Sequence, residues 1–195
     1  MRRLPCVLAL AAGAVAASAG GAAIAWFITG SAQTVEGRGP GPWSTAAKIG
    51  DSSTDMLTRA TVARTGLWAL PPSEVIYFLT GKDDAGRPLD ARCTYELKGR
   101  GDLPSRWWSI GAYVDYHFVD SPQGRYSYTK TNVAQDADGG YTIRVSRTPQ
   151  PGNWLPLGDK PGEVHLLTRL YQPDPARTAV PEQVPLASIT RLACA

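Results

Sequence analysis

Hydrophobic positions change period three times along the chain. From Leu4 to Thr29 the run LPCVLALAAGAVAASAGGAAIAWFIT carries no charge. A helix of ~20 residues crosses the ~30 Å hydrocarbon core of a bilayer, so residues 1–30 read as an N-terminal transmembrane anchor. QTVEGRGPGP then shows no apolar period and is rich in Gly and Pro, which marks residues 31–50 as a linker. In DSSTDMLTRATVARTGLWALP the residues Met56, Ala60, Ala63 and Leu67 recur at four, three and four. That stripe predicts a helix docked on a sheet, capped by Asp51, Ser52 or Ser53, with Asp55 at its positive end and Gly66 as its stop.

After Pro71-Pro72 the helical period disappears. EVIYFLT (74–80) is nearly continuously apolar. RCTYELK alternates, with Cys93, Tyr95 and Leu97 on one face and Arg92, Thr94, Glu96 and Lys98 on the other. RWWSIGAYVDYHFV (106–119) reads as one long central strand, YTIRVSR (141–147) alternates again, and EVHLLTRLYQ (163–172) closes the series. Strands separated by turn residues, with one helix in front, predict a mainly β domain over 51–195, a sandwich or barrel.

The apolar N-terminal run decides the compartment. Arg2 and Arg3 precede it and only Glu36 is charged between Ser31 and Gly37, so the positive-inside rule keeps the N-terminus in the cytoplasm. The expected location is the bacterial inner membrane, single-pass, with the C-terminal domain in the periplasm. Ala17-Ser18-Ala19 offers a signal-peptidase-like site, and a cleaved signal is the rival reading. The apolar run continues past it through Ile24, Trp26, Phe27 and Ile28, which favours a retained signal-anchor. Cys6 precedes the hydrophobic region, so no lipoprotein box forms around it.

Charge changes little. Two of the 20 Lys and Arg residues lie before the span, leaving 18 against 17 acidic residues. There is no basic run or basic helix, so nucleic acid is not an expected partner. The cysteines are Cys6, Cys93 and Cys194. The last two share an oxidising compartment and are expected to bridge, free thiols or a bond to another chain being the alternatives.

Catalytic signals are sparse. Gly-x-Ser-x-Gly, a phosphate loop and His-Glu-x-x-His are all absent from the sequence. The two histidines are His117 and His165. Asp115-x-His117 supplies two groups on one strand face, too few for zinc, so neither metal nor cofactor is expected. QDADGGYT (135–142) lacks the full ligand run of a calcium loop and fits a hairpin turn at Asp138-Gly139. Trp107, Trp108, Tyr113, Tyr116, Tyr126, Tyr128 and Trp154 form an aromatic set that lines either a core or a groove for sugars or apolar ligands. Trp107 and Trp108 must point to opposite faces of a strand. Arg106, Arg125 and Arg169 stand in patterned surroundings. Arg169, among leucines, is expected to pair with Asp115 or Asp120, or else to offer a fork to an anion. In Gly152-Asn153-Trp154-Leu155-Pro156 the apolar pair is expected to drop inward and fasten a loop, with Asn153 and Trp154 beside any groove. The ligand-binding candidates are therefore Trp107, Arg125, Asn153, Trp154 and Arg169.

TRATVARTGLWALPPSEVIYFLTGKDDAGRPLDARCTYEL, RWWSIGAYV, SPQGRYSY, DGGYTIRVS, GNWLP and LLTRLYQP, in this order, resemble the domain of unknown function 1214 family. The ending ITRLACA is similar to its short membrane-anchored bacterial branch. The resemblance spans Thr58 to Cys194 and implies a jelly-roll-like antiparallel β-sandwich. It also implies cysteines at the positions of Cys93 and Cys194, which strengthens the expected bridge, and it implies no reaction. The expected function is a non-catalytic binding or assembly module of the cell envelope, with an envelope protein, polysaccharide or lipid as its ligand. The alternative is an envelope enzyme acting on carbohydrate or lipid through Asp115 and Asp120.

Overall fold

A computed structural model describes residues 3–31, 37–45, 49–64 and 67–194 of the chain. The expected stop at Gly66, the charges Arg2 and Glu36, and parts of the expected linker (32–36 and 46–48) lie outside the described residues. The chain forms two compact units: Met1–Thr34 with Asp55–Trp68, and Val35–Thr54 with Ala69–Ala195.

The first unit holds two helices. Helix α1 (Arg3–Ser31) contains an apolar stretch, Cys6–Thr29, long enough to cross a membrane. Helix α2 (Met56–Arg64) starts later than expected. Its cap is Asp55, whose carboxylate accepts from the Thr58 N–H at 3.0 Å and the Thr58 hydroxyl at 2.6 Å. Asp51 instead closes a turn on the Ser53 N–H. Met56, Ala60 and Ala63 of the expected apolar stripe are exposed, Thr61 is the buried residue of the helix, and α2 groups with α1.

The second unit is mainly β. One sheet has the order β1-β7-β3-β4, from Val75–Thr80, Val164–Pro173, Ser105–Val114 and Ser127–Thr129. The other has the order β6-β5-β2-β8, from Asn153–Pro156, Gly140–Ser146, Cys93–Arg100 and Ser188–Cys194. A one-turn helix α3 (Pro175–Thr178), capped by Asp174, leads toward β8. Every ladder is antiparallel except β5 with β6, so the expected mainly β, antiparallel two-sheet domain carries one parallel pair at an edge.

The alternation read from the sequence sets the core. Cys93, Tyr95 and Leu97 of β2 point inward, as do Trp108, Ile110, Ala112 and Val114 of β3, Ile143 and Val145 of β5, and Leu166 and Leu170 of β7. Trp108 stacks on Tyr141 at 5.3 Å and donates its indole N–H to the Gly101 carbonyl at 3.0 Å, satisfying the one polar atom it brings inside. Trp43, within the segment expected as a linker, is also in this core and donates to the Ala187 carbonyl at 2.8 Å.

Strand β8 ends on the disulfide. Cys93 and Cys194 are register partners across the β2–β8 ladder and are bonded to each other. The bond closes a loop with a sequence separation of 101. In the chain-entropy picture, long loops stabilise most through the unfolded state. Cys194→Ser is expected to lower unfolding free energy by about 2–5 kcal/mol. Denaturant melts of both proteins, with alkylation showing no reactive thiol at Cys93 or Cys194 in the unreduced wild type, check this.

Candidate functional site

The pentapeptide at 152–156 is built into the fold. Gly152 takes φ 76°, and Asn153 to Pro156 then form β6 beside β5. The Asn153 amide donates to the carbonyls of Ala134 (2.8 Å) and Thr142 (3.0 Å), and its oxygen accepts from the Ala134 N–H at 2.8 Å. The Trp154 backbone N–H donates to the Tyr128 hydroxyl at 2.8 Å, and its indole N–H donates to Ser146. Both side chains are buried. Asn153 and Trp154 therefore join β6 to the 134 loop and to β4, and neither presents a free edge to a ligand.

The outer face of the first sheet is different. On β3 the positions alternating with the core are Trp107, Ser109, Gly111 and Tyr113. The ladder sets Trp107 opposite Tyr171, Ser109 opposite Arg169, and Tyr113 opposite His165. On the other side of β7, Tyr77 lies opposite Arg169. Trp107 and Tyr171 meet edge to face at 5.1 Å. Gly111 has a local reason. A Cβ there would stand 3.4 Å from the Tyr113 ring and 3.3 Å from the Tyr126 carbonyl, so glycine lets the Tyr113 ring lie down over the sheet. From that position its hydroxyl accepts from Arg169 Nη2 at 2.9 Å.

Arg169 does not pair as expected with Asp115 or Asp120. Among the described residues no carboxylate lies within ion-pairing distance of it. Asp115 is engaged elsewhere, with one of its carboxylate oxygens accepting the Glu163 N–H at 2.9 Å. Arg125 lies apart from this group, its guanidinium 4.7 Å from the ring of Tyr128, a core-facing residue of β4.

The strand expected to continue to Val119 stops at Val114. Asp115 (φ 48°) and Tyr116 (φ 63°) form a two-residue turn, closed by paired backbone bonds between Val114 and His117. Both central residues with positive φ match the hairpin turn whose hand suits twisted strands, usually made with Asn-Gly. Without glycine the sequence shows no such turn. The bend brings Phe118 back against Tyr113 at 5.0 Å and Tyr126 at 5.5 Å, with Phe118 66% exposed. Asp115 thus lies within a turn and His117 just after it, instead of the two sharing a strand face.

Tyr116 stacks on His165 at 3.8 Å. Burial holds the His165 pKa below its ordinary 6.5, against the opposing pull of Glu163 and Asp115. Its Nε2 lies 3.9 Å from a Glu163 carboxylate oxygen.

Beyond Glu163 opens a cleft of about 700 Å³, lined by Asp90, Arg92, Asp115, Glu163, Arg191 and the Cys93–Cys194 bridge. Much of its charge is spent internally. Arg92 holds Asp90 at 2.7 Å, and that hydrogen bond brings the Asp90 pKa down to about 2. Arg191 reaches Asp83, which is buried and also held by Arg87 at 2.8 Å. A carboxylate kept ionised in this way makes a poor proton donor near neutral pH. Among the described residues no group of three or more His, Cys, Asp or Glu is placed to hold a metal ion.

Fold and face together define a small two-sheet β-domain whose first sheet carries Trp107, Tyr113, Tyr171 and Arg169 on its outer face. The chain belongs to the family described as protein of unknown function DUF1214, whose model matches residues 74–175. Among solved structures it is similar to the VPA0106 protein from Vibrio parahaemolyticus, at 23% identity and TM-score 0.57, over 72% of this chain and 36% of that one. It is also similar to a putative uncharacterized protein from Burkholderia cenocepacia, at 21% identity and TM-score 0.39, over 63% of this chain and 30% of that one. The chain thus spans about a third of the length of these relatives, and the likeness to VPA0106 is one of fold. No curated protein matches.

His165 gives a pH prediction. Its folded pKa lies below the unfolded value, so below 6.5 the unfolded chain takes up a proton that the folded chain refuses. Stability is full above 6.5 and falls as pH drops below it. Melting temperatures recorded down a pH series are expected to show this decline, and His165→Gln is expected to flatten that part of the curve.

Proposed function

We propose that the chain is a single-pass, N-terminally anchored envelope protein whose sheet domain lies in the periplasm and works by binding. The ligand lies on the outer face of β7 and β3, over Trp107, Tyr171, Tyr113 and Phe118, with Arg169 in the middle. The apolar stretch Cys6–Thr29 and the disulfide support the anchor and the oxidising compartment.

One observation carries the binding reading. Arg169 is half-buried among aromatic rings, hydrogen-bonded to a neutral hydroxyl, with no ion-pairing carboxylate among the described residues. A sheltered guanidinium without a counter-ion is costly, and an anionic ligand supplies one. The half-buried rings of Trp107, Tyr171 and Tyr113 and the exposed ring of Phe118 favour a partner with flat apolar faces of its own. Pyranose rings bearing carboxylate or phosphate groups combine both features, so an acidic envelope polysaccharide is the ligand class that fits. Trp107 and Tyr113 are six residues apart on one strand, about 20 Å, room for several sugar rings. The enzymatic alternative has less support, because Asp115 is engaged in holding the Glu163 backbone.

The full-length protein in detergent, run through gels containing an acidic polysaccharide such as alginate or a neutral one such as amylose, tests this reading. Retardation by the acidic polymer is expected. Arg169→Gln removes a charge-assisted contact and is expected to weaken acidic-glycan binding about tenfold. Trp107→Ala is expected to weaken it through lost stacking, with the thermal melt little changed. No retardation of the wild type, or an Arg169→Gln protein that binds as before, would end the proposal.

A further inference from the structure

The first unit carries exposed apolar side chains. Met56 is 85% exposed and Trp68 is 96% exposed, with Leu57 also exposed. Asp55–Trp68 and the N-terminal helix form one compact unit. The contact between them is specific. Arg64 donates from Nη1 to the Trp26 carbonyl at 2.6 Å and to the Thr29 hydroxyl at 3.3 Å, and its guanidinium lies 3.9 Å over the Trp26 ring.

The depth of that contact follows from length. Cys6–Thr29 has 24 residues, about 36 Å of helix against a hydrocarbon core of ~30 Å. Trp26 therefore falls where the core gives way to headgroups, the level at which tryptophan is enriched. A guanidinium is costly at the bilayer centre and tolerated at this level. Helix α2, joined to Trp26 by Arg64, lies at the same depth. Its composition suits that layer and not a deeper one: MLTRATVAR mixes Met56 and Leu57 with Arg59 and Arg64. The neighbouring acid, Asp55, is already engaged by Thr58.

We propose that α2, together with Leu67 and Trp68, lies in the phospholipid headgroup layer beside the outer end of α1, as a second membrane contact of the chain. Lipid phosphates take Arg59 and the outward edge of Arg64, and the upper acyl region takes Met56, Leu57 and Trp68. This rests on the reading of α1 as a retained anchor. It adds that the chain, after passing through the sheet unit at 35–54, returns to the membrane surface over residues 55–68.

The test uses full-length protein carrying Cys6→Ser, in vesicles of phosphatidylcholine and phosphatidylglycerol that contain lipids spin-labelled near the headgroup. A single environment-sensitive fluorophore is attached at one of four substitutions: Met56→Cys, Trp68→Cys, Ala17→Cys within α1, or Asp159→Cys on the sheet unit. The probes at 56 and 68 are expected to be quenched at least about twofold more than the probe at 159. Quenching at 56 and 68 no greater than at 159, while a lipid label placed deep in the acyl chain quenches the probe at 17, overturns the proposal and leaves the anchor standing. A probe at 17 that deep labels do not quench removes the anchor and this proposal together. A melt of each labelled protein with its disulfide intact confirms that the sheet unit is folded.

Discussion

The register between β3 and β7 is the constraint on which the domain depends. It runs from Ser105 opposite Pro173 to Val114 opposite Val164, in the middle of the first sheet. Side chains alternate across a strand, so slipping this ladder by one residue would exchange its two faces. With β3 slipped, Trp108, Ile110, Ala112 and Val114 would leave the core, and Trp107 and Tyr113 would enter it. The indole bond from Trp108 to Gly101 and its stacking on Tyr141 of the other sheet oppose that slip. One ladder thus fills the core and sets the spacing of the outward rings.

The second sheet depends on closure. β2 lies between β5 and β8, and β8 arrives only after the chain has completed β7, α3 and a short helical turn. The ladder to β2 holds this edge strand along its length, and three further contacts fasten it. The bridge to Cys93 holds its end, the buried Ile189 holds its start, and Trp43 reaches from far upstream to the carbonyl of Ala187 just before it. The same edge contributes Arg191 and Cys194 to the cleft, where Arg191 reaches Asp83 and the Arg92–Asp90 pair lies beside it.

Much of the β framework was legible because half-buried strands leave a period of two. The inward set Cys93, Tyr95 and Leu97 and the opposition of Trp107 to Trp108 needed only alternation. What escaped was local and lacked that signature. β6 hides in a stretch flanked by Gly152 and Pro156 and pairs in parallel, so its pattern shows a fastened loop and conceals the strand. Trp43 sits among Gly and Pro, where burial has no period to announce it. α2 showed a helical stripe, but a stripe does not name the element it belongs with, and α2 groups with α1. Of the candidate site residues, Trp107 and Arg169 come together on one face, while Arg125, Asn153 and Trp154 are held elsewhere.

The turn at Asp115-Tyr116 explains why the aromatic face could not be read in advance. A tyrosine at φ 63° costs of order 1–3 kcal/mol relative to glycine there, and persists only where its surroundings compensate. They do so twice: the ring stacks on His165 at 3.8 Å, and the Asp115 carboxylate ties the turn to Glu163. Both partners lie on or just before β7, so the strand that carries Arg169 also holds the turn. Reversing the chain at this point makes Phe118 double back onto Tyr113 instead of extending β3 away from it. Arg169, Tyr113, Phe118 and Tyr126 are therefore one connected group of contacts, made adjacent by a strained residue that has no glycine to mark it.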